Sequence, residues 1–325
     1  MATHILILIH GITPEAAPAS HSGLYDKFWR ALQEAQPALP AVIRHVAGVE
    51  WGNRLGPGAT RPDERLSDAE RRASELERTE RVHARPGPNN VVHPGPFGDW
   101  NLIPGLRKLT HILREQLVQF GLADAVYYAS QDGEIAVRNA VYGQVLRALR
   151  PHRKDDQVHL HVVGHSLGVT VAHDFLYGLF GKPGEPDFLG QAASQEDRDD
   201  YALWRDRAGS RLHLGSFTSM ASQLPLFALR KQSLVDRLAA GGVLNAQDIG
   251  VVIDGQTQWL IVYDVDDPLG FATRELYGNA NEVRQVQVDV GDTPLNAHLD
   301  YWTDAVVIRE TARLIATRAG AAIAE

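Results

Sequence analysis

The sequence predicts an α/β protein, a mostly parallel central sheet covered by helices on both faces. Three observations lead there. Short β-branched runs alternate along the chain with longer segments of helical periodicity. Several runs, such as ILILI and WLIV, are continuously apolar, as strands buried on both faces must be. At 325 residues the chain is long enough for a single domain, 1–325, with a deep core and room for insertions.

Taken in order, the first strand is expected at 5–9, inside MATHILILIH. No basic residue precedes this burst, it is too short for a signal-peptide core, and it runs straight into His10-Gly11, so it reads as a buried strand. Further strands are expected at 42–51, 125–129, 158–163, 212–218, 258–263 and 283–288. A helix over 22–35 sets Tyr25, Phe28, Trp29 and Leu32 on one stripe and stops before Pro37. A second starts at Pro104, turns Leu106, Leu109, Leu113, Leu117 and Phe120 inward, and stops at Gly121. A third runs from about Glu134, with Ile135, Val141, Val145 and Leu149 inward, and ends before Pro151. The last, from about His298, carries Trp302, Ala305, Val306, Arg309 and Ile315.

Two stretches do not fit the core. Residues 52–101 are Gly/Pro-rich at both ends and highly charged between, with acids and bases in near balance. They read either as a lid or cap over a site, or as a surface excursion or oligomer contact. Residues 181–208 are polar and acidic and read as a second insertion.

Composition excludes several functions. A net charge of -8 with no basic block gives nucleic acid no electrostatic foothold. The absence of cysteine removes disulfides, thiolate metal sites and cysteine nucleophiles, and fits a reducing compartment. No apolar run is long enough to span a bilayer, so the expectation is a soluble, cytoplasmic protein without an integral membrane segment. There is no P-loop, no dinucleotide-binding glycine fingerprint and no metal-ligand cluster, so no cofactor and no metal are expected.

The segment that carries chemistry is VHLHVVGHSLGVTVAHDFL. Gly164-His165-Ser166-Leu167-Gly168 matches G-x-S-x-G between a strand and an apolar helix. A serine on so tight a turn is backbone-strained and needs small residues two positions away on either side. The turn lifts the hydroxyl above the sheet, and the helix that starts there brings the positive end of its dipole.

With this elbow the chain resembles the α/β-hydrolase superfamily of serine esterases and lipases, and the resemblance covers most of the chain outside the two insertions. Three further pieces carry it: ILILIHGIT looks like the first strand and its His-Gly oxyanion loop, LHLGSFTSMASQLPLF like the strand after the nucleophile helix, and NAHLDYW like the C-terminal histidine segment. The resemblance implies an α/β-hydrolase fold, Ser166 as nucleophile, and an oxyanion hole built from the backbone N–H groups of Ile12 and Leu167.

A base for Ser166 needs a pKa near neutrality, which points to histidine. Of 14 histidines, His298 stands out, near the C-terminus, after the last strand and at the start of a helix. That position matches the family's serine–acid–histidine chain order. His159 and His161 share a strand face, where packing explains them, and His4, His45, His83, His93, His111 and His213 have no companion motif. The acid that orients the imidazole should follow QWLIVYD, where Asp264, Asp266 and Asp267 compete. Asp267-Pro268-Leu269 resembles the family's D-x-[VIL] segment, Asp264 is the alternative, and Asp266 reads as solvent-facing. Spare aspartates usually accept backbone N–H groups in the loop. Ser219 and Ser222 read as pocket-lining or turn residues, and Phe97, Trp100 and Trp51 as acyl-pocket or packing aromatics.

The implied activity is hydrolysis of a small-molecule or lipid ester through Ser166, His298 and Asp267. One alternative is a lipase, phospholipase or acyltransferase acting on longer acyl chains. The other is a catalytically silent hydrolase fold serving as a binding module.

Overall fold

The computed structural model describes residues 2–11, 21–51, 128, 131–180, 189, 193–225, 240, 258–274, 283–291 and 294–324. The 52–101 insertion, the helix expected from Pro104 and the residue Ile12 lie outside the described residues, as does the expected strand at 125–129 apart from Tyr128. Tyr128 itself is helical, and its buried hydroxyl donates to Asp174 at 2.6 Å.

The described elements are, in order, β1 (Thr3–Ile9), α1 (Ser22–Ala35), α2 (Leu39–Val42), β2 (Ile43–Val49), α3 (Gln131–Leu149), β3 (Val158–His165), α4 (Leu167–Phe180), α5 (Gln195–Arg207), β4 (Leu212–Met220), β5 (Gln258–Asp264), β6 (Val283–Val288), α6 (Pro294–Leu299) and α7 (Ala305–Arg318). The six strands form one sheet in the order β2-β1-β3-β4-β5-β6, and every neighbouring pair is parallel. The fold is therefore of the α/β class. Chain order reverses between β1 and β3, and in open parallel sheets that switch point opens a crevice at the carboxyl ends of the strands.

Strand alternation builds two cores. Ile5, Ile7 and Ile9 of β1 face a cluster with Val141 and Val145 of α3, Leu176 of α4 and Trp204 of α5. Leu6 and Leu8 face the opposite cluster, with Phe28 and Leu32 of α1 and Val307 and Ile315 of α7. In the same way β5 sends Trp259 and Ile261 to the first core and Leu260 and Val262 to the second. Each fully buried Ile or Leu contributes about 1.5–3 kcal/mol of transfer free energy, which is why central strands need both faces apolar.

Three sequence expectations are corrected. Residue 42 closes α2, so β2 starts at Ile43. The last helix begins at Ala305 rather than near His298, because the Asp304 side chain accepts the Val307 N–H at 2.8 Å and caps a new helix. The reset register turns Val307, Thr311, Leu314 and Ile315 inward and leaves Ala305 and Arg309 exposed. Part of the 181–208 stretch belongs to the core: α5 buries Tyr201 and Trp204. Its buried Asp200 is neutralised by Arg150 at 2.8 Å and by Arg153, which lets so polar a helix dock.

A row of histidines crosses the opposite end of the sheet. Register pairs His4 of β1 with His159 of β3, and His159 with His213 of β4. Their rings stack, with centroids 4.8 and 5.1 Å apart. His4 Nδ1 also lies 3.0 Å from His161 Nε2, and His161 Nδ1 lies 2.8 Å from the Ser216 hydroxyl. Burial and the His159 charge push His4 down to about 4, and burial followed by its histidine neighbours and Arg318 holds His161 well below the usual range.

His4 is neutral in the folded state above about pH 4 and takes up a proton on unfolding between there and about 6.5, the unfolded value. Its contribution to stability is therefore complete above about pH 6.5 and is lost as pH falls toward about 4, and His161, also depressed by burial, acts in the same direction. Each such ring steepens the loss by up to about 1.4 kcal/mol per pH unit. Urea midpoints are expected to drop across that window in the wild type and less steeply in His4→Phe. Parallel profiles for the two proteins would count against the histidine row as the cause.

Candidate functional site

Ser166 sits where β3 ends and α4 begins, at the switch point of the sheet. Its φ of 54° is left-handed. The Ser166 N–H is tied to the Met220 carbonyl at 2.9 Å and its carbonyl accepts the Val169 N–H at 3.0 Å, so neighbours on both sides hold the strained conformation. Glycines in the turn and on the segment facing it are needed for close approach. A methyl group on Gly168 would overlap the His10 carbonyl and lie 2.7 Å from the Ile9 carbonyl oxygen. A methyl group on Gly11 would overlap the Ser166 side chain and lie 2.8 Å from the His165 carbonyl oxygen.

His298 reaches this serine from the far end of the chain. It lies in the last turn of α6, not at the start of the final helix as the sequence pattern indicates. Its Nε2 is 2.9 Å from Ser166 Oγ, and its Nδ1 is 2.9 and 3.0 Å from the two carboxylate oxygens of Asp267. Residues 132 and 31 positions apart in sequence thus form one hydrogen-bonded chain. A proton on Nδ1, shared with Asp267, leaves the Nε2 lone pair facing the serine hydroxyl.

The two competing aspartates have different partners. Asp267 is buried, accepts the Leu269 N–H at 2.9 Å and the Tyr301 hydroxyl at 3.2 Å, and faces His298. Asp264, at the end of β5, accepts the backbone N–H groups of Asp266 at 2.9 Å and Val290 at 2.7 Å. It clamps two loops and faces no imidazole in the described contacts. Asp266 is exposed. Tyr301 links the pair, since its oxygen also accepts the Asp264 N–H at 2.7 Å. Burial and the Asp267 charge raise its pKa, which keeps the phenol a donor to Asp267.

On the other side of Ser166, the His10-Gly11 corner is fixed by an aromatic frame. The His10 N–H donates to the Tyr25 hydroxyl at 3.0 Å, which donates to the Val49 carbonyl at 2.7 Å. Trp51 Nε1 donates to the His10 carbonyl at 2.9 Å, so Trp51 acts here as a brace. Ile12, one residue on, lies outside the described residues. Leu167 is the first residue of α4, so its N–H belongs to the donors that a helix leaves unpaired at its start.

His10, His21 and Glu50 bring ligand-type atoms within 4.8 Å of one another. Yet His10 Nδ1 donates to the Gly11 carbonyl at 2.5 Å and Nε2 accepts the Trp51 N–H at 3.2 Å. Its ring lies flat on His21, with centroids 3.6 Å apart and planes 8° apart. With both nitrogens committed, His10 has no lone pair to offer a cation. Burial and the His21 charge push it down to about 3, and it stays neutral in this stack.

Two residues at the site carry no role in the sequence reading. His165, the variable residue of the elbow, is buried and donates from Nε2 to the His298 backbone carbonyl at 2.7 Å. It thereby fixes the helix end that bears the imidazole. Burial and the nearby His298 hold it well below the usual histidine range, so it stays neutral. Gln223 is buried, and its Nε2 donates to Ser166 Oγ at 3.2 Å. Neither signal is periodic: a three-dimensional contact to a residue far along the chain defines each. Ser219 and Ser222 are structural, Ser219 accepting the Trp259 indole N–H at 2.8 Å and Ser222 the Leu224 N–H at 3.3 Å.

No helix among the described residues is long and apolar enough to cross a membrane. Compared with family models, curated proteins and solved structures, the chain matches none.

Proposed function

We propose that this chain is a serine hydrolase of the α/β-hydrolase type that cleaves carboxylic esters through an acyl-enzyme intermediate. The observation that carries the reading is the chain from Ser166 Oγ to His298 Nε2 at 2.9 Å and from His298 Nδ1 to Asp267 at 2.9 Å, starting at a serine whose φ is 54°. A buried serine, a partly buried imidazole and a buried carboxylate in series, at the carboxyl end of a parallel sheet, form a proton relay aimed at one hydroxyl.

In the proposed reaction His298 Nε2 takes the Ser166 proton as Oγ attacks the ester carbonyl carbon. Asp267 holds the imidazole by Nδ1 and stabilises its cationic form. The N–H groups of Leu167 and Ile12 receive the negative charge that develops on the carbonyl oxygen. His298 then returns the proton to the departing alkoxide, leaving an ester on Ser166. Water, deprotonated by the same nitrogen, attacks that ester and releases the acid.

The test is a fluorophosphonate, which phosphonylates an activated serine, followed by peptide mapping. Label confined to Ser166, with release of p-nitrophenol from acetate-to-palmitate esters, is the expected outcome. The chain-length optimum then separates an esterase from a lipase. Label on another residue, or none on a folded protein, would remove the reading and favour a binding role.

A further inference from the structure

The structure carries a second unusual residue beside Ser166. Among the described residues the non-glycine positions with left-handed backbone are Ser166 and Ala221, with φ values of 54° and 53°. Both lie at carboxyl ends of neighbouring strands, and the Met220 carbonyl that precedes Ala221 accepts the Ser166 N–H at 2.9 Å. The turn after β4 is pinned elsewhere too: the Ala221 N–H donates to the Val262 carbonyl at 3.1 Å, and the Ser222 carbonyl accepts the Phe271 N–H at 3.1 Å. Strain held this firmly aims a side chain. The residue it aims is Gln223.

Gln223 is 1 % exposed. One end of its carboxamide donates to Ser166 Oγ at 3.2 Å. The other end, Oε1, is buried without a hydrogen-bond partner among the described residues. A buried, unpaired amide oxygen is costly, and a structure that retains one beside a reactive hydroxyl is built to receive a donor.

Resting on the serine-hydrolase reading, we infer that Gln223 determines specificity: its Oε1 accepts a hydrogen bond from a hydroxyl or N–H carried by the substrate next to the scissile ester. The preferred substrates are then esters of hydroxylated acids or of polyhydric alcohols rather than plain alkyl esters. A site whose buried acceptor is matched by one substrate and left unpaired by its alkyl isostere discriminates between them by about 10- to 100-fold. The same contact orders the nucleophile. With the Gln223 N–H on one lone pair of Oγ, the serine proton is turned toward His298 Nε2.

The experiment compares kcat/KM for propyl butyrate, 2-hydroxyethyl butyrate (its isostere with a hydroxyl on the alcohol side) and propyl 3-hydroxybutyrate, using wild type and Gln223→Met. The wild type is expected to prefer at least one hydroxylated ester by about 10- to 100-fold, and the variant to bring that ratio near one. Ratios within one preparation do not depend on how much of the variant folds. A wild type that treats all three alike, or a preference that survives in Gln223→Met, overturns the assignment of Gln223 while leaving Ser166 labelling intact. Protein labelled at Ser166 that cleaves none of the three also overturns it. Hydrolysis that persists in Ser166→Ala removes the underlying reading instead.

Discussion

Replacing Ser166 by alanine is expected to lower kcat for ester hydrolysis about a million-fold, the scale seen when a serine nucleophile is deleted from such a relay. The loss should be this large because no neighbour among the described residues is placed to take over. Ser166 is the hydroxyl that meets His298 Nε2, whereas Ser219 is held by Trp259 and Ser222 by Leu224. The fold should survive. Alanine differs by a single oxygen, and Ala221 shows that the same left-handed conformation is carried by alanine elsewhere in this sheet. Steady-state rates on p-nitrophenyl esters, with thermal melting as the control, make the comparison. A folded mutant that keeps more than about 1 % of wild-type kcat would show that the chemistry lies elsewhere.

How much of this was legible in the sequence follows from which residues act through local pattern. Strand β1 was readable because ILILI must be buried on both faces, and the parallel sheet places it second in the order. The serine turn was readable because two glycines flank it at the spacing that close backbone approach requires. His298 and the aspartate loop were legible as candidates, but the choice between Asp264 and Asp267 depends on which carboxylate faces the ring, and adjacent sequence cannot encode that. Gln223 and His165 were invisible for the same reason, since each acts through a contact more than fifty residues away. Helix α5 escapes the pattern for a different reason. Its low apolar content hides a buried stripe, because the burial of Asp200 is made possible by arginines from another element. The sequence pattern starts the last helix too early because the periodicity runs on through Asp304, where the cap begins a new helix.

The choice between the two aspartates is best decided by paired substitutions. Asp267→Asn is expected to lower kcat about ten-thousand-fold with little change in stability, because a carboxamide no longer enforces the Nδ1–H tautomer or stabilises the imidazolium. The side chain is isosteric: its one amide oxygen keeps the Leu269 N–H, and the Tyr301 hydroxyl, which meets the other carboxylate oxygen, can rotate to accept from the amide NH2, an option that the backbone N–H partners of Asp264 do not have. Asp264→Asn should do the reverse. Its carboxylate closes the loops at the ends of β5 and β6 through Asp266 and Val290, and an amide can satisfy only one of those N–H groups with its oxygen. The cost falls on stability, about 1–3 kcal/mol for a buried donor left unmatched, with kcat changed by less than about tenfold. Tyr301 couples the sites, since one phenol oxygen donates to Asp267 and accepts from the Asp264 backbone, so some slackening of His298 is expected in both variants. What separates them is the ratio of lost kcat to lost melting temperature. If Asp264→Asn proves the inactive variant and Asp267→Asn the unstable one, the roles are exchanged, and the hydrogen bond between Asp267 and His298 is a resting contact that the reaction does not use.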